Sequence, residues 1–182
     1  MYDLAWLLAQ QRAQQSLKYL YFGGHTPKQA NKMDASCLSQ WYPAPFTVQD
    51  ITYPTAEHYM MAQKAKLFGD DEVWQHILAS AHPKQAKDWG RQVKGFEQDV
   101  WEAQCWDIVV AGNQAKFSQN NELKDFLCKT GKRVLVEASP VDRIWGVGLS
   151  RDDWRILQPE RWRGRNLLGF ALMAVRDALL AR

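Results

Sequence analysis

PTAEHYMMAQKAKLF, residues 54 to 68, is the stretch on which the reading of this chain turns. Pro54 suits the first position of a helix, because its missing N–H is one that a helix leaves unpaired anyway. The pattern then runs to Phe68 and breaks at Gly69. At 3.6 residues per turn, positions 57, 60, 61, 64 and 68 share one face, reading Glu, Met, Met, Lys, Phe. Glu57 and Lys64 sit two turns apart, about 10.5 Å along the axis. An exposed stripe has no need of Met60 and Met61. A core stripe has no place for Glu57 unless the carboxylate is paired or used. Two readings stay open: a carboxylate set among apolar side chains for chemistry, or one that turns to solvent at the stripe's edge.

Outward from this segment the pattern is again mostly helical. Asp70-Asp71-Glu72 start a second helix, with acids at its positive end. Pro83 starts a third near residues 84–92, and longer apolar periodicity marks 97–114 and 121–129. The last helix spans Leu167 to Leu180, where Leu168, Leu172, Val175 and Leu179 make a stripe. Lys18 to Phe22, Phe46 to Tyr53 and Arg133 to Ala138 suit strands. Residues 28–40 read as a loop, and 139–166, rich in Gly, Pro and Trp, as irregular chain. Residues 1–16 form a helical extension with leucines on one side, ahead of a domain over 17–182. The fold class is α+β: a mainly helical single domain with a few short strands.

Composition narrows the function. Of 182 residues, 46% are hydrophobic and 24% charged, which excludes a disordered chain. A net charge of +3 is too small for a bulk nucleic-acid or membrane coat. The longest apolar run, Leu167 to Val175, falls short of the roughly 20 residues that cross a bilayer, so no membrane partner is expected. The start, MYDLAWLLAQ, lacks the basic residues of a secretory signal. Cys37, Cys105 and Cys128 are odd in number and form no C-x-x-C. Reduced thiols, a cytoplasmic location, no metal and no cofactor are expected. Nine tryptophans suit either a site for a flat ligand or an aromatic core.

A second segment carries chemistry: VLVEASPVDRIWGVG, residues 134 to 148. A buried-type strand ends in Glu137, a turn brings Asp142, and Trp145, Gly146 and Gly148 follow. Loops after strand ends commonly carry sites. Glu137 and Asp142 face a polar pocket on one reading. On the other, Asp142 caps a turn and pairs with Arg143. Between Arg143 and Arg165 lie six arginines against Asp152, Asp153 and Glu160, with Trp154 and Trp162 interleaved. Arginine forks match phosphate and stack on rings, so a phosphate-bearing ligand fits, as does a merely solvated loop. Gly164-Arg165-Asn166 precedes the last helix and offers backbone donors. H-E-x-x-H, G-x-S-x-G, P-loop and G-x-G-x-x-G patterns are absent. His25, His58, His76 and His82 have no metal spacing; His58 and Cys105 read as structural.

These residues, taken in order, resemble the YbiA-like or NADAR family. The matching blocks are Ser39 to Phe46, Tyr53 to Lys64, Gly90-Arg91, Gly112 to Phe117, Leu135 to Gly148 and Trp162 to Gly169. They span roughly residues 18 to 180; the first 16 residues fall outside. The resemblance implies cleavage of N-glycosidic bonds. One branch hydrolyses a phosphorylated ribosyl-pyrimidine intermediate of riboflavin biosynthesis and releases ribose 5-phosphate. Another removes ADP-ribose from guanine in nucleic acid. The implied partner is thus a small ribosyl phosphate or an ADP-ribosyl substrate, with nucleic acid as its carrier in the second case. A non-catalytic ADP-ribose or nucleotide binding module, and a scaffold with all its tryptophans in the core, are the alternatives from other classes. Carried over, Glu57 is the principal catalytic carboxylate, with Lys64 and Asp142 beside it. Trp41, Lys116, Glu137, Trp145, Gly146, Arg165 and Asn166 are the binding residues. Two positions depart from the family: Gln40 stands for its usual Asn and Arg165 for its usual Lys.

Overall fold

A computed structural model describes residues 1–181. In chain order the elements are α1 (Leu4–Arg12), β1 (Tyr19–Phe22), a 3-10 turn (Ala35–Leu38), β2 (Phe46–Val48), β3 (Ile51–Tyr53), α2 (Ala56–Leu67), α3 (Asp71–Ala79), α4 (Pro83–Gly90), α5 (Gln98–Gln119), α6 (Asn121–Lys129), β4 (Val134–Glu137), two further 3-10 turns (Trp154–Leu157 and Pro159–Arg161) and α7 (Leu167–Leu180). The fold is α+β and mainly helical, as expected. The described chain divides into two compact units. One is Gln40–Asn121; the other joins Met1–Ser39 to the chain from Glu122 onward.

In the 40–121 unit, Phe46 to Tyr53 is not the single strand expected. Gln49 and Asp50 both take left-handed backbone, at φ 50° and 63°, which a two-residue type I′ turn requires. The segment therefore folds back as the antiparallel pair β2–β3, with Phe46 opposite Tyr53. Pro54 is not the first helical residue either. Thr55 caps α2 by accepting from His58 N–H, so Pro54 lies just outside. α2 packs against α3, α4 and α5. That three-sided cover explains why Ala56 through Ala62 is buried without a break, where the sequence suggested one apolar stripe. Two glycines allow the close approach. A Cβ at Gly90 would lie 2.0 Å from Met61 Sδ, and one at Gly112 would lie 2.5 Å from Tyr59 Cδ1. α5 runs five residues beyond the expected Gln114.

In the other unit, β1 and β4 form a parallel pair, Tyr19 opposite Val134 and Phe22 opposite Glu137. Val134, Leu135 and Val136 are all buried, as befits a strand covered on both faces. α7 packs on β4, and Leu168, Leu172, Val175 and Leu179 all point into that core. The 28–40 segment is less loop-like than expected: Asp34 caps a 3-10 turn that buries Ser36, Cys37 and Leu38. Among the described residues no helix is long and apolar enough to cross a membrane.

Candidate active site

Glu57 is the second residue of α2, inside the first turn, where the helix's unpaired N–H groups favour a carboxylate. It is 6% exposed, so it does not turn to solvent at the edge of a stripe. Its backbone N–H donates to Gln40 O at 3.0 Å. The Gln40 side chain in turn accepts from Asn113 Nδ2 of α5 at 2.8 Å. Gln40 thus ties the start of α2 to α5.

Lys64 follows two turns later and is half-buried. Its ammonium lies 4.6 Å from the Phe96 ring centroid and 5.6 Å from that of Trp101. Burial holds its pKa below the ordinary lysine value; Arg91 pushes the same way, while the charge of Glu57 opposes. Glu57 and Lys64 are therefore an electrostatically coupled pair on one helix. Phe96 and Trp101 escaped sequence reasoning because they lie on a separate segment, with no spacing that links them to α2. Lys116 is fully buried in α5, its ammonium 5.0 Å from the Phe117 ring and 5.9 Å from that of Tyr42. Trp41 is half-buried, with the Lys87 ammonium 5.8 Å over its ring. His58 is structural, held between Thr55 Oγ1 and Ser80 O.

The remaining candidates lie in the other unit. Glu137 ends β4, and its carbonyl accepts from Val147 N–H at 3.0 Å. Asp142 Oδ1 accepts from Ile144 N–H and Trp145 N–H, at 2.9 and 2.8 Å. It caps its own turn, and among the described residues it forms no ion pair with Arg143. Gly146 is buried, and a Cβ there would stand 3.1 Å from both Asp142 O and Glu137 O. The segment after residue 162 runs alongside this turn: Arg163, Arg165 and Asn166 donate to Val147 O, Arg143 O and Gly146 O. The chain over 139–166 is irregular but fixed. Asn166, at φ 54° and 0% exposed, spends its amide on β4. Nδ2 donates to Leu135 O, and Oδ1 accepts from Glu137 N–H.

Arg165 is exposed. Two other arginines of the stretch have structural duties. Arg155 pairs with Asp153, whose carboxyl it holds at about 2, and Arg151 donates to Tyr21 O. Eight of the nine tryptophans are half-buried or exposed, so the reading of an all-core set fails. A cavity of about 570 Å³, lined by Leu8, Gln11, Arg12 and Glu160, contains none of the candidates. Among the described residues no cluster of His, Cys, Asp or Glu could hold a metal ion.

The NADAR domain family matches residues 22–180. The chain belongs to the NADAR family. An N-glycosidase of Acanthamoeba polyphaga mimivirus is 39% identical over 165 residues, covering 88% of this chain and 95% of that protein. N-glycosidase YbiA of Escherichia coli (strain K12) is 32% identical over 146 residues, covering 80% and 81%. The NMR structure of the E. coli protein YbiA matches this fold with a TM-score of 0.71 at 28% identity, over 94% of this chain and 91% of that one. With these relatives, the NADAR chain is a hydrolase acting on N-glycosyl compounds.

Proposed function

We propose that this NADAR protein is a cytoplasmic N-glycosidase that hydrolyses a phosphorylated ribosyl-pyrimidine intermediate of riboflavin biosynthesis. The observation that carries the reading is the buried carboxylate of Glu57 in the first turn of α2, coupled to Lys64. Cleaving an N-glycosidic bond builds positive charge at the sugar's C1, and a carboxylate stabilises that charge or activates water. In the hydrolysis, water oxygen bonds to C1 as the C1–N bond breaks. The base leaves with the bonding pair and takes up a proton, and ribose 5-phosphate is the other product.

Each residue type has a job in that reaction. Glu57 faces C1 and receives the proton of the attacking water. Lys64 keeps Glu57 ionised. Its depressed pKa also supports a covalent variant, in which the neutral amine adds to the C1=N bond of the ring-opened glycoside, the base leaves as its amine, and water hydrolyses the resulting Schiff base to free the sugar and the lysine. Asp142 is assigned to the ribose hydroxyls, Arg165 to the phosphate, and Trp41 or Trp145 to stacking on the base. Glu137, Gly146 and Asn166 shape the turn that carries Asp142. Lys116 is kept as a substrate-binding candidate.

The test is to incubate purified protein with the aminopyrimidine ribosyl phosphate and, separately, with ADP-ribosylated DNA, and to assay freed sugar. Release of ribose 5-phosphate from the first alone is expected. Cleavage of the second alone would transfer the reading to guanine-linked ADP-ribose, and cleavage of neither would overturn it.

A further inference from the structure

Phe96 precedes α5 on a turn that the fold clamps firmly. Asp70, 8% exposed at the start of α3, accepts from Lys94 N–H at 2.8 Å with one carboxylate oxygen and from Val73 N–H at 3.1 Å with the other. Gly95 takes left-handed backbone at φ 74°, so the chain turns sharply one residue after the clamp. The Phe96 ring then meets that of Phe68, at the end of α2, with centroids 5.3 Å apart and planes tilted by 59°. The ring itself is 39% exposed, so burying it is not what the clamp achieves.

What the clamp does achieve is a ring beside Lys64. The ammonium is nearer to Phe96 than to Trp101, 4.6 Å against 5.6 Å from the centroids. Lysine carries its charge on a flexible four-carbon stem, and an ammonium without a partner samples many positions. The negative face of an aromatic ring holds a cation without taking its proton and without cancelling its charge. A carboxylate in the same place would neutralise Lys64 and compete with Glu57. Glu57 and Arg91 are the other charges that the amine feels, the first favouring the ammonium and the second opposing it. Arg91 is exposed and stands 3.8 Å from Asp88, and the Lys94 ammonium turns to Glu72 at the same distance.

We propose that Phe96 is a positioning residue for the hydrolysis: the face of its ring seats the Lys64 ammonium at the place from which that charge acts on Glu57. Phe96 acts through Lys64 and not on the substrate. The inference rests on the proposed pairing of Glu57 with Lys64 and extends it to a residue that lies between two of the family's matching blocks and in neither.

Acetic anhydride labelling across pH, read by peptide mass spectrometry, follows the neutral Lys64 amine, with exposed Lys32 as internal standard. Phe96→Leu keeps an apolar cover and removes the ring face. The ammonium then loses a partner while its burial remains, so the Lys64 labelling midpoint should move to lower pH. On the glycoside that the enzyme cleaves, kcat should fall about fivefold at unchanged KM, the scale of one cation–ring contact. Phe96→Tyr keeps the ring and should restore both readings. The ring is partly exposed, so both variants should hold the wild-type thermal midpoint, which is measured alongside. A wild-type labelling midpoint in Phe96→Leu would overturn the proposal, as would a raised KM at unchanged kcat, which would make the ring a surface for the substrate. The labelling needs no substrate, so the two failures separate: a shifted midpoint in a protein that cleaves neither glycoside would overturn the proposed reaction and leave the seating of Lys64 standing.

Discussion

The buried imidazole of His58 sits between two oxygens. Ser80 O can only accept, so Nε2 carries a proton, and in the neutral ring Nδ1 accepts from the Thr55 hydroxyl. Burial, the larger cause, holds its pKa below the ordinary histidine value. As pH falls below about 6.5, the unfolded chain takes up a proton that folded His58 refuses. Stability is therefore full above that value and lost as pH falls through the folded-state pKa. Urea denaturation at pH 7.5 and pH 5 should show this loss, and it should shrink in His58→Asn. One residue earlier, Glu57→Gln should fold normally and lose at least about 100-fold in hydrolytic rate; near-wild-type turnover would remove Glu57 from its role. Lys64→Arg separates the two roles of the lysine. It keeps the positive charge, so most of the rate should survive if Lys64 acts through Glu57. It cannot form a Schiff base, so a covalent route would be abolished, and cyanoborohydride would label the wild type alone.

At the scale of elements, glycines and one asparagine set how closely the pieces approach. A Cβ at Gly169 would lie 2.0 Å from Leu135 O and 2.5 Å from the Asn166 amide, both fixed groups that hold α7 against β4. Gly169→Ala should cost about 2–3 kcal/mol, the upper range for overpacking. Gly90→Ala also meets an atom at 2.0 Å, but it is the sulfur of Met61, on a flexible side chain, and should cost less. Paired urea titrations check the order. Element identities were legible where period and punctuation agreed: the leucine stripe of α7, the valines of β4, and Pro83 at the first position of α4. The β2–β3 hairpin was not, because Gln49-Asp50 is not one of the glycine-bearing pairs that announce a type I′ turn. The extra length of α5 was missed for a related reason: Ala115 to Gln119 contains no stop signal, and Asn120 alone ends the helix.

For the molecule as a whole, the family match begins at residue 22, yet α1 is fastened to the later chain. Leu7 is fully buried, and Tyr2 donates its hydroxyl to Asp177 of α7 at 2.6 Å. Removing residues 1–16 should lower the thermal midpoint by several degrees while hydrolysis persists. Leu7→Ala alone should cost about 2–4 kcal/mol. An unchanged midpoint would show that the extension is an ornament.

The sequence by itself determined the helical class, the family and the residue types of the chemistry. Hydrophobic period and cap residues act over a few neighbours, and ordered motif blocks carry their own specificity. Only the tertiary structure decided that Glu57 is buried rather than at a wetted edge, that Phe96 and Trp101 lie over Lys64, and that the amide of Asn166 serves β4. Burial and side-chain contact are set by elements far apart along the chain, and no local spacing encodes which of them will meet.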